Sequence, residues 1–241
     1  EIFLSAFCFP RPTRTVGIAT EDTHSMQRAD DEEDDASLQN MMRMMLMMQR
    51  RPELKGPKED PSLVLPFYQG TGTDVEERTL ADLRKFDYAM MEGSHNYIQW
   101  MFPTDEESMY NPDAPKLTKE VQKRFAEDPA LREELRNSFD QFTDFLGLKY
   151  ERGGAIEEEA QPSVVIAKHF QDRFDDCWSS TWGGNHNWLR ISRVLLCLGR
   201  CSLPKEQAAF MEALEDVAKQ VPQCAPSIKH WREKAVEKPV F

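Results

Sequence analysis

The segment Met91–Pro103, MEGSHNYIQWMFP, constrains the fold of this chain more than any other stretch. Tyr97, Ile98, Trp100, Met101 and Phe102 crowd large apolar area into one short run, in a chain of which 30% is charged, so other elements must cover it. Gly93 is placed to end a preceding helix in the left-handed conformation, Ser94 to cap the next turn, and Pro103 to stop it. His95, Asn96 and Gln99 are polar handles among the aromatic groups. Such a cluster is either the keel of a helical core or the floor of a pocket. Aromatic residues at helical spacing more often pack than bind, which favours the core.

The punctuation on both sides of this segment is helical. Thr79 precedes LADLRKFDYAMM, where Leu80, Leu83, Phe86 and Met90 recur at intervals of three and four, predicting one helix closed by Gly93. Thr104–Glu107, TDEE, has a capping-box pattern but runs into loop at Pro112 and Pro115. Thr118 caps KEVQKRFAED, which turns Val121 and Phe125 inward. Asp128 and Pro129 open the clearest helix, with the stripe Leu131, Leu135, Phe139, Phe142 and Leu146 and a stop at Gly147. Its opposite face, Arg132, Glu133, Arg136 and Asp140, reads as a solvated side.

After the Gly- and Glu-rich connection Glu151–Gln161, a helix is expected from Ser163 through VVIAKHFQDRFDDCW. Asn185 then caps a helix whose inner face is Trp188, Ile191, Leu195 and Leu198, closed by Gly199. Ser202 and Pro204 open a last domain helix with Phe210, Leu214 and Val217 inward. No strand signal of comparable length appears. The expectation is an all-α fold, a single compact helical domain of roughly six to eight helices.

At 241 residues the chain has room for one sizeable core with tails. We read residues 1–62 as a disordered or targeting leader, 63–221 as the helical domain and 222–241 as a tail with a short helix around Trp231. EIFLSAFCFPRPTR suits either the end of a targeting segment or ordinary linker. Ala29–Ser37 is a self-repelling acidic block. Met41–Met48 reads as a biased tail that frays in isolation, or as an adaptable helix for a protein partner or a membrane surface. Pro52, Pro57, Pro61 and Pro66 make the following stretch a linker.

The net charge of -12 argues against nucleic acid as a partner and suits cationic ligands. The five cysteines, Cys8, Cys177, Cys197, Cys201 and Cys224, form no regular framework and suit reduced thiols in an intracellular compartment. No stretch approaches the ~18 apolar residues of a spanning helix, leaving peripheral contact as the route to a membrane. Metal and cofactor motifs are absent: no CxxC or HExxH occurs, and Cys197 and Cys201 sit in an apolar helix run. GTGTD lacks the ending of a phosphate loop, and no GxSxG elbow occurs. His95 with Asp87 is a weak acid–base pairing, so a non-enzymatic role is expected.

The polar residues that could form a site are Glu92, His95, Asn96 and Gln99 in the first segment, with Asn185, His186, Arg190 and Arg193 in the second. Arg190 and Arg193 share a helix face and could hold a carboxylate or phosphate. The plainer alternative has them paired with internal acids such as Glu92, while His95 and His186 cap helix ends. Both readings bring the two segments into contact.

HNYIQWMFP, preceded by FYQGTG and RTLADL and followed by NPDAPKLT, resembles the conserved domain of the opioid growth factor receptor family. NHNWLRISRVLLCLG, Asn185–Gly199, resembles the family's other signature, and the likeness runs from about Leu65 to Val217. The resemblance implies a receptor for a small opioid-type peptide acting in growth control, associated with membrane or nucleus. For such a ligand Tyr97, Trp100 and Trp188 would be walls, Arg190 or Arg193 would take the carboxylate, and Glu92 or Asp87 the amine. The competing expectation is an α-helical interaction scaffold with a filled core and no small ligand.

Overall fold

The computed structural model describes residues 58–108, 111, 114–153, 161–180 and 185–241, which fall in one compact unit. The acidic block, the methionine-rich segment and the turn at Gly183 and Gly184 lie outside the described residues. Asp60 accepts a bond from the Ser62 N–H and opens α1, Pro61–Tyr68. Pro61 and Pro66 therefore belong to a helix and not to a linker. Pro61 occupies the first helical position, where a missing N–H costs nothing, and the Pro66 carbonyl accepts from the N–H groups of Thr71 and Gly72, both at 2.9 Å.

Thr79 and Asp82 form a reciprocal capping box on α2, Leu80–Leu83, and Asp87 starts a separate α3, Tyr88–Gly93, by accepting from the Met90 N–H. The single helix expected over this stretch is thus cut in two, because the Asp87 side chain offers the backbone a fresh start. Gly93 remains helical, outside the positive-φ glycines, and the Ser94 hydroxyl bonds Asn96 rather than capping α4, Ile98–Met101. All four α4 residues, Ile98, Gln99, Trp100 and Met101, are buried.

Thr118 caps α5, Lys119–Glu127, and Asp128 with Pro129 opens α6, Pro129–Phe145, both as the side-chain chemistry predicts. The α6 stripe is buried, and Gly147 turns the chain at φ 77, where an added Cβ would lie 2.7 Å from the Phe170 Cα. Arg136, expected on the solvated side, instead reaches the buried Glu206 at 2.6 Å.

The helix expected from Ser163 is replaced by β2, Ser163–Ile166, which pairs antiparallel with β1, Leu148–Glu151. The Ser-Val-Val-Ile run is short and β-branched, and it buries Val164 while exposing Val165, an alternation that suits a strand. A 3₁₀ turn, Phe170–Arg173, and a π turn, Phe174–Trp178, carry the rest. Arg173 ties this stretch to α6 through the Phe145 carbonyl at 2.9 Å.

The second half of the domain is α7, His186–Arg200, packed on α8, Pro204–Gln220, and on α9, Ile228–Ala235. Phe139 of α6 meets Phe210 of α8 at 5.2 Å and Tyr150 of β1 at 4.9 Å, so one aromatic core joins the two halves and the hairpin. The segment expected as a tail is part of this core. Trp231 of α9 is fully buried and its indole N–H donates to the Trp188 carbonyl at 3.1 Å. Beyond it the chain lies against Gly199, and Gln207 donates to the carbonyls of Lys234 and Glu237 at 3.0 and 3.2 Å. Nine α-helices and one two-stranded hairpin occur among the described residues, and the class is all-α.

Candidate functional site

The N-terminal half of α7 lies across the Met91–Thr104 segment, so the two distinctive stretches of the sequence meet. Asn185 caps α7 by accepting from the Asn187 N–H at 2.8 Å, and its amide donates to the carbonyls of Asp176 and Ser179. Its role is to fix the helix start. His186 and Asn187 then reach the two oxygens of Glu92, each at 3.0 Å. Burial pushes the Glu92 carboxyl up, but the bonds from His186 and Asn187 outweigh it and hold the group below the ordinary glutamate range.

The two arginines have different fates. Arg190 is buried and donates from Nη1 to the Met91 carbonyl and the Asn187 side-chain oxygen, both at 2.9 Å, and from Nη2 to the Ser94 carbonyl at 2.9 Å. Its partners are the free carbonyls at the end of α3, not the Glu92 carboxylate. Arg193, one turn on, donates only from Nη1, to the Phe102 carbonyl at 3.2 Å and the Thr104 hydroxyl at 3.0 Å. Burial presses its guanidinium below the ordinary arginine value, opposed by Cys197 and Glu106.

Between the segments runs a groove of about 310 Å³. Ile98, Leu189 and Leu196 supply its apolar wall, His95 and His186 one end, and Gln99, Arg190 and Arg193 its polar lining. The imidazoles of His95 and His186 stack at 5.6 Å and 25°. Glu106, Glu107 and Ser108 line the groove from the stretch after Thr104, and Lys234 reaches it from α9 and pairs with Glu106. The Gln99 amide, with its nitrogen turned to the His95 and Asn96 carbonyls at 3.2 Å, closes the floor.

Of the residues proposed from sequence, His95, Gln99, His186, Arg190 and Arg193 come together at this groove, with Glu92 behind His186. Tyr97, Trp100 and Trp188 do not form walls: all three are buried in the core, with Tyr97 beneath Arg190. Asn96 turns away to Arg78 and Glu76, and Asp87 is spent as the α3 cap. Sequence reasoning missed Ile98, Leu189 and Leu196 as walls. Leu189, Arg193 and Leu196 stand four and three apart on α7, a second stripe beside the core-facing one, and this spacing was the available signal. Glu106 and Lys234 carry none.

Among the described residues no group of three His, Cys, Asp or Glu side chains is arranged to hold a metal ion. The four described cysteines are free and buried. Burial pushes the Cys177 thiol up to about 12, which leaves it a poor nucleophile. No helix among the described residues is long and apolar enough to cross a membrane.

The chain is 33% identical to the opioid growth factor receptor of Mus musculus over 127 residues, 53% of this chain and 18% of the relative. It is 33% identical to the Rattus norvegicus protein of that name over 144 residues, 60% of the chain and 23% of the relative. The opioid growth factor receptor-like protein 1 of Xenopus tropicalis is 30% identical over 144 residues, 56% of the chain and 23% of the relative. The likeness thus spans less than a quarter of each of these relatives. No solved structure matches the chain. The family model described as the opioid growth factor receptor (OGFr) conserved region matches residues 62–236, from α1 through α9 and including both segments that frame the groove, and the chain belongs to that family.

Proposed function

We propose that the domain is a non-enzymatic peptide-binding module that takes a short zwitterionic peptide of the opioid pentapeptide type into the groove between α4 and α7. In this reading it serves receptor activity in growth regulation, inside the cell and in association with membrane or nucleus. The names of the relatives support a receptor role, and the free, buried thiols suit a reducing compartment. The observation that carries the reading is Arg193. It lines the groove, and among the described residues Nε and Nη2 have no hydrogen-bond partner and no carboxylate lies within ion-pair distance. A half-buried guanidinium in this state is relieved by a planar anion, and a peptide carboxylate supplies one. Ile98, Leu189 and Leu196 would cover apolar side chains, and Glu92 with the two histidines would face the peptide amine.

Isothermal titration of the full chain with an opioid-type pentapeptide, and with the same peptide amidated at its C-terminus, tests the proposal. Saturable binding that weakens roughly tenfold on amidation, with the difference abolished by Arg193→Ala, is the expected result. Equal affinity for acid and amide removes the carboxylate role. A second reading, an interaction scaffold without a small ligand, draws on Leu189, which is 55% exposed at the groove. Absence of peptide binding, checked by a second method, favours it.

A further inference from the structure

Among the described residues Arg193 keeps Nε and Nη2 free although two carboxylates share its surroundings. Glu106 and Glu107 line the groove with it, and the same three residues also line a second, water-sized hollow of about 10 Å³. The Thr104 hydroxyl links them: it accepts from Arg193 Nη1 at 3.0 Å and donates to the Glu106 carbonyl at 3.3 Å. The Glu106 main chain thus stands one hydroxyl away from the guanidinium. Glu106 also acts on Arg193 through space, opposing the fall that burial imposes on its guanidinium. A flexible carboxylate so placed is within reach of the free side of Arg193, where a planar fork would receive it.

Both acids are held elsewhere. Glu107 pairs with Lys116 at 3.0 Å, and Lys116 has a second bond to Glu59 at 3.2 Å. Glu106 pairs with Lys234, which arrives from 128 positions away in the last turn of α9. The main chain of that turn is fixed, since the Lys234 carbonyl accepts from the buried Gln207 amide at 3.0 Å.

The choice between the two cations is finely balanced for Glu106. Paired with Lys234, its side chain stays 54% exposed and keeps much of its hydration. Turned to Arg193, it would gain a bidentate partner in a drier place but would itself be desolvated. Ion pairs at a wet rim are weak, so one ammonium more or less decides which arrangement is populated.

We propose that Glu106 is an internal competitor for the anion site at Arg193, and that Lys234 is the positioning residue that holds it off. With the ammonium in place the guanidinium stays open to a carboxylate ligand. Without it, Glu106 turns inward and fills the site from within. This rests on the reading of Arg193 as the receiver of the ligand carboxylate, and it adds what keeps that receiver open: a side chain of α9, an element outside the two segments that frame the groove.

NMR of the arginine Nε–Hε groups in the full chain reads the site with no ligand present, the Arg193 signal being assigned by its loss in Arg193→Lys. In Lys234→Met this signal should move and its exchange with water should slow, as a carboxylate closes on it. The substitution spares the Gln207 bond, which the Lys234 main chain makes. Lys234→Met combined with Glu106→Gln should return the signal to its native state, and Lys234→Arg should never disturb it. Titration with the opioid-type pentapeptide reads the consequence: affinity should fall roughly fivefold in Lys234→Met, about the worth of one rim ion pair, and recover in the double variant. An Arg193 signal unmoved by Lys234→Met, or a shift that survives Glu106→Gln, would overturn the proposal. If the signal responds as expected while no variant binds the peptide, the role of Lys234 stands and only the choice of ligand falls.

Discussion

The guanidinium of Arg190 lies 5.4 Å from the ring centre of Tyr97 while its two terminal nitrogens bind the carbonyls of Met91 and Ser94. One side chain from α7 thereby satisfies the end of α3 and covers the aromatic residue that leads into α4. This makes the junction of the two segments a structural joint first, with the groove as the space left beside it.

Arg190→Ala should destabilise the domain by roughly 3 kcal/mol, because it strips buried carbonyls of charged donors and uncovers Tyr97. Arg190→Lys should recover only part of the loss, since an ammonium lacks the fork that spans carbonyls of residues on one turn. Urea unfolding of the three proteins at neutral pH measures this.

Acid should loosen the same joint. Burial holds His95 below the ordinary histidine value of 6.5, and Arg190 and His186 add to the effect, with the Gly93 carbonyl and Glu92 opposing. The native state therefore favours neutral His95, and this contribution is present above about pH 6.5 and lost as pH falls. Glu92, held below its ordinary 4.5, loses its contribution at still lower pH, with the same sign. Stability should fall from about pH 7 to pH 5, and His95→Gln should flatten the first part of that fall in thermal melts.

Gly199→Ala tests the strap at the end of the described chain. A Cβ there would stand 2.1 Å from the Glu237 carbonyl oxygen and 2.3 Å from the Gln207 amide nitrogen. Alanine favours helix by about 1 kcal/mol over glycine, yet the overlap should win and cost roughly 2 kcal/mol net. Hydrogen exchange should show faster exchange across residues 234–240, with α6 unaffected.

Glu206, buried in the first turn of α8, accepts from Arg136 at 2.6 Å and from the Tyr150 hydroxyl at 3.4 Å. Glu206→Ala should cost roughly 3 kcal/mol by leaving half-buried Arg136 with only the more distant Glu133, at 3.5 Å, as an acid partner, and Arg136→Ala should cost a similar amount. A double-mutant cycle in urea should return a coupling that is a large share of either single loss.

Elements that carry their own start signals were legible: Thr118 and Asp128 with Pro129 marked α5 and α6, and Asn185 marked α7. The capping bond joins groups two or three residues apart, so the information is local. The same logic misread Ser163–Ile166, where four β-branched-rich residues take the form of a strand only because β1 lies opposite. It also misread Pro222–Phe241 as a tail, since Trp231 has no reason to be buried until Trp188 presents a carbonyl to it.

For the site, the sequence named His95, Gln99, His186, Arg190 and Arg193 and placed the two segments in contact. It assigned Tyr97, Trp100 and Trp188 to ligand walls because aromatic residues serve cores and pockets equally well, and only burial separates the two uses.

By itself the sequence determined the helical class, the caps and the amphipathic stripes, because each depends on residues within about one turn of one another. Tertiary structure decided, among the described residues, which arginine engages both terminal nitrogens and which engages one. Arg190 finds its carbonyls 99 and 96 positions away at Met91 and Ser94, whereas Arg193 meets Phe102 and Thr104 with a single nitrogen. Two identical side chains on one helix face differ in role because the end of α3 offers carbonyls to both terminal nitrogens of Arg190, while the end of α4 offers Arg193 the Phe102 carbonyl and the Thr104 hydroxyl at one nitrogen alone, a difference that no local spacing encodes.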